Sequence, residues 1–320
     1  MAHIDEGLEG RVGITVCAPA PILTITIEHD ANNETEVHLH AGGQGFWVGR
    51  MIQGLGHPAT LCAPLGGETG EVLALLIGSE GVELKSVDMP GANGAYVHDR
   101  RSGERQAIVE TMQTTLGRHE HDELYSTIMA NALHDGVCVL TGTRPESVLP
   151  AATYGRLVQD LTAASVHVVA DLSGTQLRNA VAAGIPTLKV SDEEVIDAGY
   201  AREGSTEQLV DAIDALRAEG ARDIVVSRAD APTLARIGDR LLEVEAPRLE
   251  VVDPRGAGDS MTAALAVAAA RGLDTDDTLR LAVAAGAVNV TRHGLATGEA
   301  ATIDELARRV TITEQAVASS

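Results

Sequence analysis

Short apolar runs rich in Val, Ile, Leu and Cys recur along this chain, with segments of helical period between most of them. Val12 to Cys17, Ala59 to Pro64, Gly136 to Leu140, Val166 to Asp171, Thr187 to Val190 and Ile224 to Ser227 each read as a strand. Helices are expected at 46–55, 69–79, 148–163, 175–183 and 205–219. Runs this apolar have no face for water, so they belong in a sheet covered on both sides. Strand and helix in alternation make that sheet mainly parallel. Aromatic residues make up only 2% of the chain, and the Ala, Val, Leu and Gly in their place suit close helix-on-sheet packing. Ligands of such sheets sit beyond the carboxyl ends of the strands.

Two stretches break the rhythm. Residues 22–40 alternate polar and apolar side chains with no helix between, and residues 94–110 do the same around Arg101-Ser102-Gly103-Glu104. The second is a hairpin pattern. Both are too polar on one face for central strands, so together they predict a small antiparallel sheet, a lid, inserted into one α/β domain spanning 1–320. A frayed tail is expected from about Glu314. One exposed lid edge would allow a homodimer through the lid.

The formal charge of −22, from 46 acidic and 24 basic residues, argues against nucleic acid and anionic membrane as partners. Met1-Ala2-His3-Ile4-Asp5-Glu6 lacks the basic and apolar regions of a signal peptide. The apolar helix at 261–270 is too short to span a bilayer. Cys17, Cys62 and Cys138 lie in separate apolar runs without zinc-ligand spacing, and read as buried free thiols of a reducing compartment. A cytoplasmic protein is expected.

The chemistry concentrates in Asp253-Pro254-Arg255-Gly256-Ala257-Gly258-Asp259-Ser260, directly ahead of the apolar helix. Glycines let the backbone turn sharply and bring its N–H groups close to a ligand. At a helix start those donors and the helix dipole favour an anion. A carboxylate beside such a cradle is repelled by what the cradle holds. Asp259 therefore has two readings: a helix N-cap, or a base that takes the proton of an attacking hydroxyl during phosphoryl transfer.

This segment resembles the second signature of the ribokinase-like PfkB carbohydrate kinases, Asp-x-x-Gly-Ala-Gly-Asp. The first signature is matched by Ala41-Gly42-Gly43-Gln44-Gly45, a helix, then Gly66-Gly67-Glu68-Thr69-Gly70. Between the two lie Thr141-Gly142-Thr143, Asp171-Leu172-Ser173, Lys189-Val190-Ser191-Asp192-Glu193-Glu194 and Val225-Val226-Ser227, in family order. The resemblance spans about 12–300 and is nearest the 1-phosphofructokinase and tagatose-6-phosphate kinase branch. It implies a three-layer α/β fold with a β lid and an ATP-dependent kinase acting on a sugar or sugar phosphate. It assigns Asp259 as base and the N–H groups of Gly256, Ala257 and Gly258 as the anion hole. Lys189, Ser191, Glu194, Ser227, Asn289 and Gly294 fall where the family binds nucleotide, with Glu194 organising Mg²⁺ through water. Gly42, Gly43, Gln44 and Trp47 fall on the acceptor side.

The departures from the family pattern lie mostly on that acceptor side. Gln44 stands for a usual lysine, Trp47 for an asparagine, and Ile22 for the aspartate that grips sugar hydroxyls. Cationic positions are replaced near Asn93 and Val97, Ser191 stands for an asparagine and Ala229 for a glycine. Arg144, Arg101 and Arg105 are candidates to restore anion binding, or else surface arginines. Trp47 is either a stacking platform or packing between lid and domain. His38 and His40 share a strand face, as a metal site or as lid-edge histidines. A kinase of a non-phosphorylated sugar or nucleoside, and a catalytically weak ligand-binding protein, remain alternatives.

Overall fold

The computed structural model describes residues 13–229, 231–292 and 295–315. The strands are β1 (Ile14–Cys17), β2 (Ile22–His29), β3 (Thr35–Gly42), β4 (Ala59–Leu65), β5 (Glu83–Asp88), β6 (Gly94–Asp99), β7 (Gln106–Thr111), β8 (Val137–Thr141), β9 (His167–Asp171), β10 (Thr187–Ser191), β11 (Asp223–Ser227), β12 (Thr233–Ile237), β13 (Arg240–Glu245) and β14 (Thr311–Glu314). The helices are α1 (Gln44–Gly54), α2 (Gly67–Ser79), α3 (Arg118–Asp135), α4 (Ala151–Ala163), α5 (Gly174–Ala182), α6 (Asp192–Asp197), α7 (Thr206–Glu219), α8 (Ala257–Arg271), α9 (Thr275–Asn289) and α10 (Ala300–Ala307).

Ten strands form the main sheet in the order β14-β13-β12-β11-β10-β9-β8-β1-β4-β5. Pairing is parallel from β5 to β11 and antiparallel from β11 to β14. One face carries α1, α8 and α9 over Val16, Leu61, Val139, Val169 and Val225. The other carries α3, α4, α5 and α7 over Cys17, Leu140, Val168, Leu188 and Val226. Neighbouring residues of one strand therefore feed opposite cores, as the side-chain period of a strand requires. This is the ribokinase-like α/β fold expected from the sequence, and the six apolar runs are its inner strands. The tail does not begin at Glu314: that residue closes β14 opposite Leu242 and pairs with Arg240, while 316–320 lie outside the described residues, as does Val12.

The lid is a separate four-stranded sheet in the order β3-β2-β6-β7. Its two hairpins are antiparallel, but β2 and β6 pair in parallel, so the sheet is mixed rather than antiparallel. The two strands leave the domain side by side, β2 after β1 and β6 after β5, and both run outward. Leu23 and Ala41 anchor the lid in the core that holds Leu73 and Ile77 of α2. His38 and His40 do share a face, with ring centroids 6.1 Å apart.

Candidate active site

The parallel register places the site. Lys189 on β10 lies opposite Asp171 on β9, at the carboxyl end of the sheet. Lys189 Nζ donates to Asp171 Oδ2 at 3.2 Å, and both residues are buried. The Thr262 hydroxyl, from α8, lies 2.8 Å from the same carboxylate oxygen and 3.0 Å from the carbonyl of Gly258. Burial alone would strip the charge from Lys189, but the carboxylates of Asp171, Glu194 and Asp259 outweigh it and hold the ammonium above the ordinary lysine range.

Against this ammonium sits the start of α8. Gly256 caps the helix in the left-handed region, at φ 76° and ψ 2°, where a side chain would be strained. A Cβ on Gly258 would fall 2.5 Å from Lys189 Nζ, so any side chain there would displace the ammonium from the helix start. Asp259 is in the first turn, yet the helix has no side-chain cap, and among the described residues its carboxyl makes no hydrogen bond. The cap reading of Asp259 is thereby set aside. Burial, then the Asp171 carboxylate, push its pKa from 3.8 up to about 7; Lys189 pulls the other way. A carboxyl that ionises near neutrality beside bare helix-start amides suits proton acceptance.

The other residues named from the sequence fall into three groups. Glu194 stays near the cluster, as its field at Lys189 and Asp259 shows. It also forms a capping box: Ser191 N donates to Glu194 Oε2 at 2.8 Å, and Glu194 N donates to Ser191 Oγ at 3.1 Å. Ser191 is thus a helix cap first, and Ser227 ends β11 with its hydroxyl 3.4 Å from the Val190 carbonyl. Asn289 is buried with both amide ends engaged, its Nδ2 donating to the Arg255 carbonyl and its Oδ1 accepting from Ala296 N, each at 2.7 Å. It buttresses the glycine loop. Gly294 lies outside the described residues.

On the acceptor side, Gly42 ends β3 and Gly43 caps α1 with φ 96°. Gln44 Oε1 accepts from Gly142 N at 2.9 Å, which ties α1 to the end of β8. Trp47 is half-buried, edge-on to Phe46 at 5.0 Å and packed against the core. Asn93, in one replaced cationic position, is 2% exposed and fully hydrogen-bonded, so it has no group left for a ligand. Arg101 is clamped by Asp99, Arg105 lies over the Tyr96 ring at 4.7 Å, and Arg144 is exposed. Asp171, Thr262 and Asn93 carry much of the geometry yet were not singled out as site residues. Only Asp171 had a sequence signal, an acid closing an apolar strand.

Fold and site together define an α/β phosphotransferase with a β lid, and comparison with known proteins says which. Residues 12–302 match the pfkB family carbohydrate kinase profile, and the chain belongs to that family. It is an ATP-dependent carbohydrate kinase. It is 28% identical over 298 residues to the ATP-dependent 6-phosphofructokinase isozyme 2 of Mycobacterium tuberculosis, covering 90% of this chain and 87% of that protein. With the 1-phosphofructokinase of Borreliella burgdorferi it shares 24% identity, over 84% of this chain and 86% of that one. The crystal structure of Escherichia coli phosphofructokinase-2 with potassium superposes at a TM-score of 0.82 and 23% identity, covering 93% of this chain and 98% of that one. Among the described residues no helix is long and apolar enough to cross a membrane.

Proposed function

We propose that this chain transfers the γ-phosphoryl group of Mg-ATP to a hydroxyl of a sugar or sugar phosphate, with Asp259 as base and the Gly256–Gly258 amides as anion hole. The observation that carries the reading is the state of Asp259: uncapped, recessed, lifted to about 7 and set beside the Gly258–Lys189 contact. The acceptor oxygen bonds to the γ-phosphorus while the bond from phosphorus to the β–γ bridging oxygen breaks. ADP leaves with that electron pair, and the hydroxyl proton passes to the Asp259 carboxylate. Amides at the helix start then face the charge that spreads over the transferring group.

Mg²⁺ keeps most of its waters in such sites and takes one or two protein carboxylates besides phosphate. Glu194 fits: one carboxylate oxygen serves the capping box, and the other has no protein hydrogen bond among the described residues. When bound, the ion would neutralise phosphate charge. Lys189 would address the nucleotide phosphates from beneath the loop.

Relatives that carry phosphofructokinase names favour a phosphorylated hexose as acceptor. A non-phosphorylated acceptor is the second reading, favoured by the saturated Asn93 and by Gln44 binding Gly142 instead of a ligand. The strands β3 and β7, each paired on one side only among the described residues, with Val37, Leu39, Ile108 and Val109 exposed, support a homodimer through the lid, to be read by sedimentation. The test of the main reading is Asp259→Asn. It should lower kcat by about 10²–10⁴-fold while leaving Mg-ATP affinity unchanged. Turnover at the parent rate would remove Asp259 from the mechanism.

A further inference from the structure

The glycine loop carries a second charged residue that the phosphoryl-transfer scheme does not use. Arg255 immediately precedes Gly256, and its Nε donates to Asp253 Oδ1 at 2.8 Å while Nη2 donates to Asp253 Oδ2. The Asp253 side chain is nearly buried, and that of Arg255 is 42% exposed. Its backbone is fixed on both sides: Arg255 N donates to Asp253 Oδ1 at 3.1 Å, and its carbonyl accepts from Asn289 Nδ2 at 2.7 Å. The side chain therefore reaches toward solvent from a fixed backbone.

The charges around the loop leave a deficit. Among the described residues, Asp259, Asp171 and Glu194 face one ammonium, Lys189, which is buried and held by Asp171. Backbone amides supply dipoles but no net charge. A nucleotide triphosphate brings several more negative charges, and the transferring group spreads its own over three oxygens. A guanidinium answers both needs, because it stays charged and presents a planar fork of donors. Asp253 accepts the guanidinium in two places, so the turn exchanges one bidentate partner for phosphate oxygens of higher charge, while Arg255 N stays on Asp253 Oδ1. Residues 255 and 257 lie within about 7 Å along the chain, inside the reach of an extended arginine.

We infer that Arg255 turns from Asp253 onto the non-bridging oxygens of the transferring phosphoryl group and stabilises its charge as the bond to ADP breaks. This rests on the reading of Asp259 and the glycine loop given above. Arg255 gains and loses no atoms in the step; it only donates hydrogen bonds. The competing role is neutralisation of Asp253, with no contact to the phosphoryl group.

Steady-state rates separate the two, with Mg-ATP and whichever of fructose 6-phosphate, fructose 1-phosphate, fructose and adenosine the parent phosphorylates fastest. Arg255→Met should lower kcat by about 10²-fold with acceptor KM nearly unchanged. Millimolar guanidinium should restore part of that loss, and Arg255→Lys should recover less than the parent rate, because a point charge lacks the fork. In Asp253→Asn/Arg255→Met the partner no longer needs neutralising, yet the rate should stay as low as in the single variant. Thermal melting of each variant shows whether it is folded. Recovery in the double variant, or a folded Arg255→Met with the parent kcat, overturns the inference while leaving Asp259 in place. A parent without turnover on any acceptor overturns the reading of the loop and this inference together.

Discussion

Asn93 Nδ2 donates to Gln113 Oε1 at 3.0 Å at the root of the lid. The same Asn93 amide reaches the Pro64 carbonyl at 3.0 Å, its Oδ1 accepts from Gly66 N at 2.9 Å, and Gln113 Nε2 donates to the Pro19 carbonyl at 2.7 Å. Two side-chain amides thus tie the approach to β2, the end of β4, the start of β6 and the exit of β7. Asn93→Leu should destabilise the protein by about 2–4 kcal/mol, because buried donors and acceptors lose their partners. Gln113→Ala should spare the fold and speed amide exchange in β6 and β7, read by mass spectrometry.

On the proposed mechanism, the ionisation of Asp259 sets an acid limb on the rate. The base works as a carboxylate, and its pKa is lifted to about 7. The logarithm of kcat/KM should rise with pH up to about 7 and level off above it. A limb centred near the ordinary aspartate value would contradict the influence of the Asp171 carboxylate on this group.

Its neighbours should move that limb in opposite directions. Asp171 raises the Asp259 pKa and Lys189 lowers it. Asp171→Asn should therefore shift the limb to lower pH, and Lys189→Met to higher pH. Lys189→Met also leaves Asp171 buried without its counter-ion, though still bonded to the Thr262 hydroxyl, at a cost of about 3–5 kcal/mol. A limb that stays in place in both variants would show that another group titrates.

A carboxyl held above its natural pKa weakens the fold that holds it. Between the unfolded value near 3.8 and about 7, the folded chain keeps a proton that the unfolded chain has released. Stability from this residue is therefore present at low pH and lost as pH rises through that window. Asp259→Asn should melt above the parent, by about 2–4 °C near neutrality, with the gap closing toward pH 4. Scanning calorimetry across that range measures the difference.

The three thiols should be silent until the sheet opens. Cys17 and Cys62 are register partners on β1 and β4, and Cys138 is on β8 beside them; all are buried and free. Burial pushes the Cys62 thiol up to about 12 and raises Cys17 and Cys138 as well. A thiol-specific disulfide reagent at pH 8 should label none in the native protein and all three in denaturant. Rapid labelling of one would mark a local opening at that strand.

How legible each part was follows from how local its cause is. The inner strands β1, β4 and β8 to β11 declare themselves because burial on both faces leaves an unbroken apolar run. The start of α8 is legible because the glycine turn and the dipole act within a few residues. Helix α3 gives little sign: it buries the narrow stripe Leu124, Ile128 and Ala132 among polar and histidine residues. Strand β12 is buried but carries Arg236 in its run, and β13 and β14, nearer the sheet edge, half-expose their side chains, so these runs are broken. The Lys189–Asp171 pair comes from the alignment of two strands, and the Asn93–Gln113 contact from the meeting of four chain segments. Both arise from long-range pairing, which spacing along the chain does not encode.

The parallel pairing of β2 with β6 dictates what kind of motion the lid can make. Two antiparallel hairpins joined only at their tips would peel apart one strand at a time. Here both central strands are planted along one line at the domain border, with Ile22 beside Gly94 at the base. Any tilt of such a plate about that line would carry both strands together, so closing and losing shape would be separate events.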